Sequence, residues 1–277
     1  AAAPSDTGSL TYRTVDGRDL SAFVFAPEGT TRGAELPAIV LFHGGAWHMG
    51  SPEKVYPMCR YFASRGMVAI AVEYRLSDEA EVTPIEALED AREAITWTRT
   101  NADRLGIDAG RIAAGGYSAG GHLAAMMAMP PDSPPGEGHR PDALVLWFPS
   151  LAAHRDPDFL RLLQERTDPV MISPLPNVGP GLPPAIVLQG SRDNVTLHSD
   201  ANRFCTRMRD AGNRCELQVY KNRGHMFTNK VDDYVDTLMK ADAFLSSLDL
   251  LQGEPQPGLA RSTRAEGSPP ASQATSP

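Results

Sequence analysis

Short apolar segments alternate along this chain with longer segments in which apolar residues recur every three or four positions. The short segments are rich in Val, Ile, Leu and Ala and are bounded by turn-forming residues, which is typical of strands buried on both faces. The longer segments have the period of amphipathic helices. This alternation predicts an α/β fold, in which a mostly parallel, twisted sheet is covered by helices on both faces.

The two opening strands are expected to form an antiparallel edge, because Asp16-Gly17 between them is a strong hairpin turn signal. Six further strands would form the parallel part of the sheet, which gives about eight strands in all. The predicted strands are residues 10–15, 20–26, 37–42, 67–72, 112–116, 143–148, 185–189 and 216–220. The predicted helices are residues 53–64, 84–105, 119–129, 198–211 and 231–248.

Two segments depart from the alternating pattern. Residues 150–183 contain a single predicted helix, 158–166, amid Pro and Gly, and we expect an insertion that covers a substrate site as a partial lid. Residues 252–277 are rich in Pro, Gly and Ser, with Leu259 as the only large apolar side chain, so a disordered tail is expected. Residues 1–8 would then be an N-terminal extension and residues 9–251 a single α/β domain.

Composition excludes several kinds of partner. The chain has 26 Lys and Arg against 34 Asp and Glu, a formal net charge of −8, and no basic cluster, so we expect no nucleic-acid partner. Its apolar stretches are too short for a membrane span. The cysteines lack metal-ligand spacing, so no metal site is expected, and Cys205 and Cys215 are left open as bridged or free.

The N-terminal residues Ala1-Ala2-Ala3-Pro4 resemble what remains after cleavage at a small-residue site. A secreted or periplasmic protein is the corresponding expectation, although the sequence leaves the compartment open.

Gly116-Tyr117-Ser118-Ala119-Gly120 matches the pattern G-x-S-x-G. The pentapeptide alone is a weak signal in a chain rich in Gly and Ser. A strand before it and a helix after it supply the strand-turn-helix context that an exposed serine nucleophile requires. Ser118 is therefore the predicted nucleophile, and the alternative is a serine that caps the helix.

A serine hydroxyl needs a base to take its proton, and that base needs an orienting group. Asp193 follows the predicted strand 185–189 and His225 follows the strand 216–220, so both lie in loops at the carboxyl edge of the sheet, where catalytic groups gather. We predict His225 as the base and Asp193 as its partner. The alternatives are an Asx-turn residue for Asp193 and an ordinary loop histidine for His225.

Other polar residues fit these roles less well. His122 lies one helical turn after Ser118, and its ring cannot readily reach back to the hydroxyl. His198 and Asp200 fall at a predicted helix start, where they fit capping or surface positions.

The segment 43–47, with the sequence His-Gly-Gly-Ala-Trp, follows the predicted strand 37–42. Its glycines allow backbone N–H groups to turn toward a developing negative charge. We predict an oxyanion hole formed by the N–H groups of Gly45, Ala46 and Ala119. His43 is expected to stabilise the turn, and Trp47 to contact substrate as a pocket wall or to join the core.

Taken in order, these motifs resemble the α/β-hydrolase superfamily, specifically bacterial esterases of the hormone-sensitive-lipase-like and feruloyl or acetyl-xylan esterase-like group. The resemblance covers about residues 9–248. It is carried by residues 43–47, by Glu73-Tyr74-Arg75-Leu76, by residues 116–124, by the turn 190–193 and by Gly224-His225. Ala46 and Tyr117 depart from the lipase-like branch, which usually has Gly and Asp there, and favour the carbohydrate-esterase-like side.

The resemblance implies an α/β-hydrolase catalytic domain that cleaves short-chain carboxylic esters through a Ser-His-Asp triad, without a cofactor or a metal. The substrate would be a small-molecule or carbohydrate ester, with acetyl or feruloyl groups as candidates. Two alternatives remain open, since the triad does not encode the leaving group. One is an amidase, exopeptidase or formamidase with the same residues, and the other is a non-catalytic hydrolase-like binding protein. Oligomeric state is left undetermined.

Overall fold

One sheet of eight strands forms the centre of the molecule, in the order β1-β2-β4-β3-β5-β6-β7-β8. The computed structural model describes residues 6–77, 81–129 and 138–266. The strands are β1 (Asp6–Val15), β2 (Arg18–Phe25), β3 (Leu36–Phe42), β4 (Val68–Val72), β5 (Ile107–Tyr117), β6 (Ala143–Trp147), β7 (Ala185–Gly190) and β8 (Cys215–Tyr220). β1 and β2 are antiparallel, β2 is antiparallel to β4, and the remaining pairs are parallel.

Helices cover both faces of the sheet. They are α1 (Tyr56–Ser64), α2 (Pro84–Thr100), α3 (Ala102–Leu105), α4 (Ala119–Ala128), α5 (Pro157–Leu163), α6 (His198–Asp210), α7 (Val231–Ser246) and α8 (Pro257–Glu266). Buried side chains of α1, α7 and α8 pack on one face, and those of α2, α4, α5 and α6 on the other. No helix among residues 6–77, 81–129 and 138–266 is long and apolar enough to cross a membrane.

The central strands are apolar throughout because they are buried on both sides. In β3, Val40 faces one cluster of core residues and the neighbouring Ile39 and Leu41 face the other, and all three are fully buried. Successive side chains of a strand point to opposite faces, so both positions must be apolar. The predicted α/β architecture with about eight strands and helices on both faces is confirmed.

Two helix predictions differ in detail. The segment 53–64 begins as a 3-10 helix, Pro52–Val55, before α1 starts. The segment 84–105 is divided into α2 and α3, and α3 ends at Gly106, whose φ of 71° is the left-handed conformation that ends many helices. At the N-terminus of α2, Thr83 and Glu86 form a capping box, which fixes where the helix begins.

Residues 150–183 pack partly into the core, and the partial lid expected from their sequence stays a prediction. Phe159 and Leu163 of α5 are buried in the core, and the segment packs beside α2 and α4. The apolar side chains of α5 recur at helical spacing, so that one face of the helix packs in the core. The segment contributes no residue to the wall of the cavity beside Ser118, which is described below.

The disordered tail predicted from residue 252 is wrong for residues 257–266, which form α8. Ala260 and Thr263 are buried against α1 and α7, although the segment has only one large apolar side chain. Small residues allow a close approach between helices, and a count of large apolar residues overlooks this kind of packing. Residues 267–277 lie outside the described residues.

The boundary of the predicted N-terminal extension also shifts, because β1 begins at Asp6. Residues 1–5 lie outside the described residues. Cys205 of α6 and Cys215 of β8 form a disulfide, which decides the question that the sequence left open.

Candidate active site

Ser118 lies in a sharp turn between β5 and α4, with φ of 51° and ψ of −113°. Its N–H donates to the carbonyl of Trp147 at 3.0 Å, which holds the turn against β6. A Cβ at Gly116 or Gly120 would lie 2.4 or 2.1 Å from the carbonyl oxygen of Phe42, so only glycine fits at both positions. The spacing of the two glycines in G-x-S-x-G therefore reflects close packing of β5 and α4 against the end of β3.

The structure brings Ser118, His225 and Asp193 into one chain of hydrogen bonds. Nε2 of His225 lies 3.1 Å from Oγ of Ser118, and Nδ1 lies 2.8 Å from Oδ2 of Asp193. A carboxylate can only accept, so Nδ1 donates to Asp193 and Nε2 is left to accept from the serine hydroxyl. A histidine in this tautomer can take the serine proton.

Asp193 is held as an anion by an unusually complete set of donors. Its side chain is fully buried. Oδ1 accepts from the N–H groups of Val195 and Thr196 at 2.9 Å each, and Oδ2 accepts from His225, Gln189 and the Thr196 hydroxyl. Burial alone would raise the pKa of Asp193, but the hydrogen bonds from His225 and from the backbone outweigh it and hold the pKa below its usual value.

The loop after β3 turns its backbone toward Ser118. Gly45, Ala46 and Trp47 have φ of 138°, 48° and 62°, and a Cβ at Gly45 would lie 1.8 Å from the carbonyl oxygen of Met49. Gly45 and Ala46 line the cavity that also contains Ser118. Within the described part of the chain, no group accepts a hydrogen bond from the N–H of either residue.

Ala119 is the first residue of α4, where backbone N–H groups have no partner inside the helix. It directly follows Ser118, so its N–H lies at the positive end of the helix dipole beside the serine. The three N–H groups predicted for an oxyanion hole thus belong to the loop after β3 and to the N-terminus of α4.

Trp47 does not contact the cavity, which corrects the prediction that it binds substrate. Its side chain is buried, with Nε1 donating to Nδ1 of His122 at 3.1 Å and its ring 4.7 Å from the ring of Phe159. Nε2 of His122 in turn donates to the carbonyl of Ile172 at 2.8 Å. The indole of Trp47 is therefore a core side chain.

Two other histidines near the site are neutral. Burial lowers the pKa of His122 and that of His43 to about 4, against an ordinary value of 6.5. His43 stacks on Tyr74, with ring centres 4.4 Å apart, and its Nδ1 lies 2.8 Å from the carbonyl of Gly44. It therefore packs within the turn, as expected. Asp200 forms an ion pair with Arg155 at 2.6 Å, away from the triad.

A cavity of about 670 Å³ opens beside Ser118 and His225. Pro57 and Tyr117 form part of its apolar wall, and three exposed apolar side chains, Met49, Val195 and Met226, lie around it. Tyr117 belongs to the motif recognised in the sequence. The other four gave no sequence signal, because they come from loops and helix starts that only the fold brings together.

Charged residues also line this cavity, namely Glu53, Lys54 and Arg264. Arg264 lies on α8, which the sequence analysis assigned to a disordered tail. No residue between 150 and 183 lines the cavity, and the first residues of that segment line a separate cavity of about 270 Å³ beside Val195. Among the residues that the structure describes, no group of three or more His, Cys, Asp or Glu could hold a metal ion.

Comparison with known proteins agrees with this geometry. A family model described as the α/β-hydrolase fold matches residues 39–229. The esterase LipC of Mycobacterium tuberculosis is 32% identical over 198 residues, which cover 62% of this chain and 48% of LipC. The carboxylesterase NlhH of the same species is 39% identical over 95 residues, or 34% of this chain and 29% of NlhH. The chain thus spans about half or less of these curated relatives.

Similarity to a solved structure is more extensive. The apo form of Thermogutta terrifontis esterase 2 has a TM-score of 0.83 and 36% identity, and the match covers 91% of this chain and 98% of the esterase. Structures of that esterase include forms bound to propionate and to butyrate and a form phosphorylated by paraoxon. Its likeness extends over nearly the whole described chain, beyond the residues that the family model matches. The chain therefore belongs to the α/β-hydrolase fold family, and its resemblance to bacterial esterases of the hormone-sensitive-lipase-like group is confirmed.

Proposed function

We propose that this chain is a serine carboxylesterase that hydrolyses short-chain acyl esters through an acyl-enzyme. The hydrogen-bond chain from Ser118 through His225 to Asp193, beside a cavity of about 670 Å³, is the observation that carries the proposal. Esterase relatives of similar sequence support the same activity.

In the first half of the reaction, Oγ of Ser118 attacks the ester carbonyl while Nε2 of His225 takes its proton. The carbonyl oxygen becomes an oxyanion, which accepts hydrogen bonds from the N–H groups of Gly45, Ala46 and Ala119. Each such donor is worth about 2.7–4 kcal/mol in the barrier. His225 then gives the proton to the alkoxide, and the alcohol leaves.

In the second half, a water molecule attacks the acyl carbon and His225 takes the proton of that water. The same N–H groups stabilise the second oxyanion, and collapse of this intermediate returns the proton to Ser118 and releases the carboxylic acid. Asp193 keeps Nδ1 protonated throughout and stabilises the imidazolium. The side chains and water supply every proton and atom that the reaction requires, so it needs no metal or cofactor.

Apolar residues of the cavity beside Ser118 suit an acyl chain as its occupant. The propionate and butyrate complexes of Thermogutta terrifontis esterase 2 support short acyl chains as the preferred size. Acetyl or feruloyl groups on a carbohydrate remain candidate substrates of this class, and a panel of acetylated and feruloylated sugars compared with simple aryl esters would distinguish them.

One experiment separates ester hydrolysis from the two alternatives. The native chain and Ser118→Ala are assayed with p-nitrophenyl acetate, p-nitrophenyl butyrate and an aminoacyl nitroanilide. Loss of ester turnover in the variant supports a serine esterase, and turnover of the anilide alone supports an amidase. Equal blank rates for both chains support a non-catalytic binding protein.

A covalent label tests the nucleophile independently of the substrate. Paraoxon phosphorylates activated serines, so mass spectrometry of the treated native chain should find one modified peptide that contains Ser118. Ser118→Ala should remain unlabelled. Labelling at another residue, or equal labelling of both chains, would contradict the assignment of Ser118.

A further inference from the structure

The cavity beside Ser118 carries charge as well as apolar surface. Lys54 and Arg264 contribute two cations to its wall and Glu53 contributes one anion. Two cationic side chains thus line one cavity of a chain whose formal net charge is −8. Hydrolysis of the ester bond itself uses none of the three side chains.

Arg264 is held at the cavity wall by fixed contacts. Its guanidinium lies 4.6 Å from the ring centre of Tyr234 and donates to the carbonyl of Thr228 at 3.3 Å. Thr228 lines the cavity as well. Burial raises the pKa of the Tyr117 phenol, and the positive charge of Arg264 opposes that rise; both residues line the cavity.

Lys54 reaches the same cavity from a different element. It lies in the 3-10 helix Pro52–Val55, directly before α1, and its side chain is exposed. The N–H of Gln256, just before α8, contacts the hydroxyl of Tyr61 in α1 at 3.3 Å. From there α8 extends about 1.5 Å per residue. Arg264 near its end lines the cavity together with Lys54 of the 3-10 helix and Pro57 of α1.

We propose that the cavity selects esters that carry a second, anionic group, a carboxylate in the simplest case, which Arg264 and Lys54 bind. This inference rests on the proposed esterase activity and names its substrate class. A guanidinium is planar and always charged, and it matches a carboxylate with two parallel hydrogen bonds. Apolar walls around the cations strengthen their attraction for an anion, because they exclude water from part of the cavity.

Glu53 allows a test by the direction of the effect, because its charge is opposite to those of Lys54 and Arg264. It lies beside Lys54 in sequence and lines the same cavity, so its carboxylate opposes binding of an anionic substrate. Removal of this charge should favour an anionic ester, whereas removal of either cation should disfavour it. A general loss of stability or of catalysis would not produce opposite changes at three residues of one cavity.

The experiment measures kcat/KM for matched charged and neutral esters. Mono-4-nitrophenyl glutarate is compared with 4-nitrophenyl butyrate, which places the charge on the acyl side. 3-Carboxyphenyl butyrate is compared with phenyl butyrate, which places it on the alcohol side. Each value is divided by the rate of alkaline hydrolysis of the same ester, so that intrinsic reactivity cancels.

For the native chain we expect a charged-to-neutral ratio of at least about 5 in one of the two pairs. Arg264→Gln should lower that ratio about tenfold, as expected for loss of a charge-assisted hydrogen bond. Lys54→Gln should lower it about threefold, because its side chain is exposed, and Arg264→Lys should restore part of the loss. Glu53→Gln should raise the ratio about twofold to threefold.

Arg261→Gln is the matched control. Arg261 lies on the same helix, and it pairs with the exposed Asp232 and does not line the cavity. Its substitution should leave the ratio unchanged. A native ratio near 1 in both pairs, or a preference that survives Arg264→Gln and Lys54→Gln together, would overturn the inference. Failure to hydrolyse the neutral esters as well would instead contradict the esterase activity.

Discussion

Residues 150–183 and residues 252–266 differ in their relation to the cavity beside Ser118, because only the second segment contributes a residue to its wall. The insertion 150–183 has the composition of a cover for the site. Its Phe159 packs against Trp47 of the loop after β3, and its Ile172 carbonyl accepts a hydrogen bond from His122 of α4. The C-terminal segment has the composition of a disordered tail, yet its helix α8 places Arg264 at the cavity wall. Local composition therefore indicates whether a segment can fold, but the faces left open by the rest of the domain decide where it packs.

This comparison has a functional side. The insertion contacts Trp47 and His122 in the core, so we expect changes there to affect stability and kcat. The C-terminal helix contributes Arg264 to the cavity beside Ser118, so we expect changes there to affect KM with a smaller effect on stability.

Phe159→Ala should have the largest effect, because it leaves a void beside Trp47 and His122 in the core. Loss of a buried phenylalanine costs about 3–5 kcal/mol of unfolding free energy, and the loosened loop after β3 should lower kcat. Urea unfolding and steady-state kinetics measure both. The exposed neighbour Leu160 provides the control, since Leu160→Ala should change neither. A stable and fully active Phe159→Ala would show that the insertion does not support the loop.

Acid should lower the stability of the packing around His43 and His122. The unfolded chain binds protons at histidine below about pH 6.5, whereas folded His122 and His43 resist protonation down to their pKa of about 4. The free energy of unfolding should thus keep its full value above pH 6.5. It should fall as the pH decreases from 6.5 to 4, by about 3 kcal/mol for each histidine. Urea unfolding at pH 4.5, 5.5 and 7 measures this slope.

The corresponding variant is His122→Leu, which should be less stable at neutral pH. Its unfolding free energy should also depend less on pH between 6.5 and 4, because one of the two histidines is absent. An unchanged slope in this variant would contradict the assignment of neutral His122 as a source of the acid sensitivity.

Removal of the disulfide between α6 and β8 should affect stability alone, in contrast to changes in residues 150–183 or in α8. A closed loop of this length stabilises the folded state by about 2–3 kcal/mol in the chain-entropy account. The double substitution of Cys205 and Cys215 by Ala should lower unfolding free energy by that amount. Neither residue lines the cavity, so kcat and KM should remain at native values, and a large kinetic change would link this region to the site.

Deletion of α8 should have a modest effect on stability and a clear effect on KM. A chain that ends at Gly253 loses the contacts of the buried Ala260 and Thr263 and of the partly buried Leu259, worth about 2–3 kcal/mol together. It also loses one wall of the cavity, so KM for butyrate esters should rise severalfold with kcat little changed. A chain that ends at Glu266 retains α8 and should match the native chain. Equal KM values for the two chains would remove α8 from the site.

Much of the fold could be predicted from the sequence, because central strands must be apolar on both faces and helices keep an apolar stripe. The juxtaposition of Ser118, His225 and Asp193 was also predictable, since each follows a parallel strand and their loops meet at one edge of the sheet. The hydrogen bonds among Ser118, His225 and Asp193 needed only this topology.

The remaining features depend on contacts between distant segments. The burial of Trp47 follows from the positive φ of the loop after β3 and from a partner on α4, neither of which a sequence pattern specifies. Packing of Ala260 depends on the surface of α1, and the role of Arg264 depends in turn on that packing. A small side chain or a single cation has no sequence pattern that predicts its position in the fold.

The hydrogen bond between Trp47 and His122 has a consequence for protein engineering. Replacing the loop after β3 by one without a tryptophan at position 47 would leave the His122 imidazole without its indole donor. The carbonyl of Ile172 would then lose a well-oriented donor. Trp47, His122 and Ile172 depend on one another although they lie more than a hundred positions apart in sequence. Chimeras that exchange all three together should therefore retain turnover better than chimeras that exchange the loop alone.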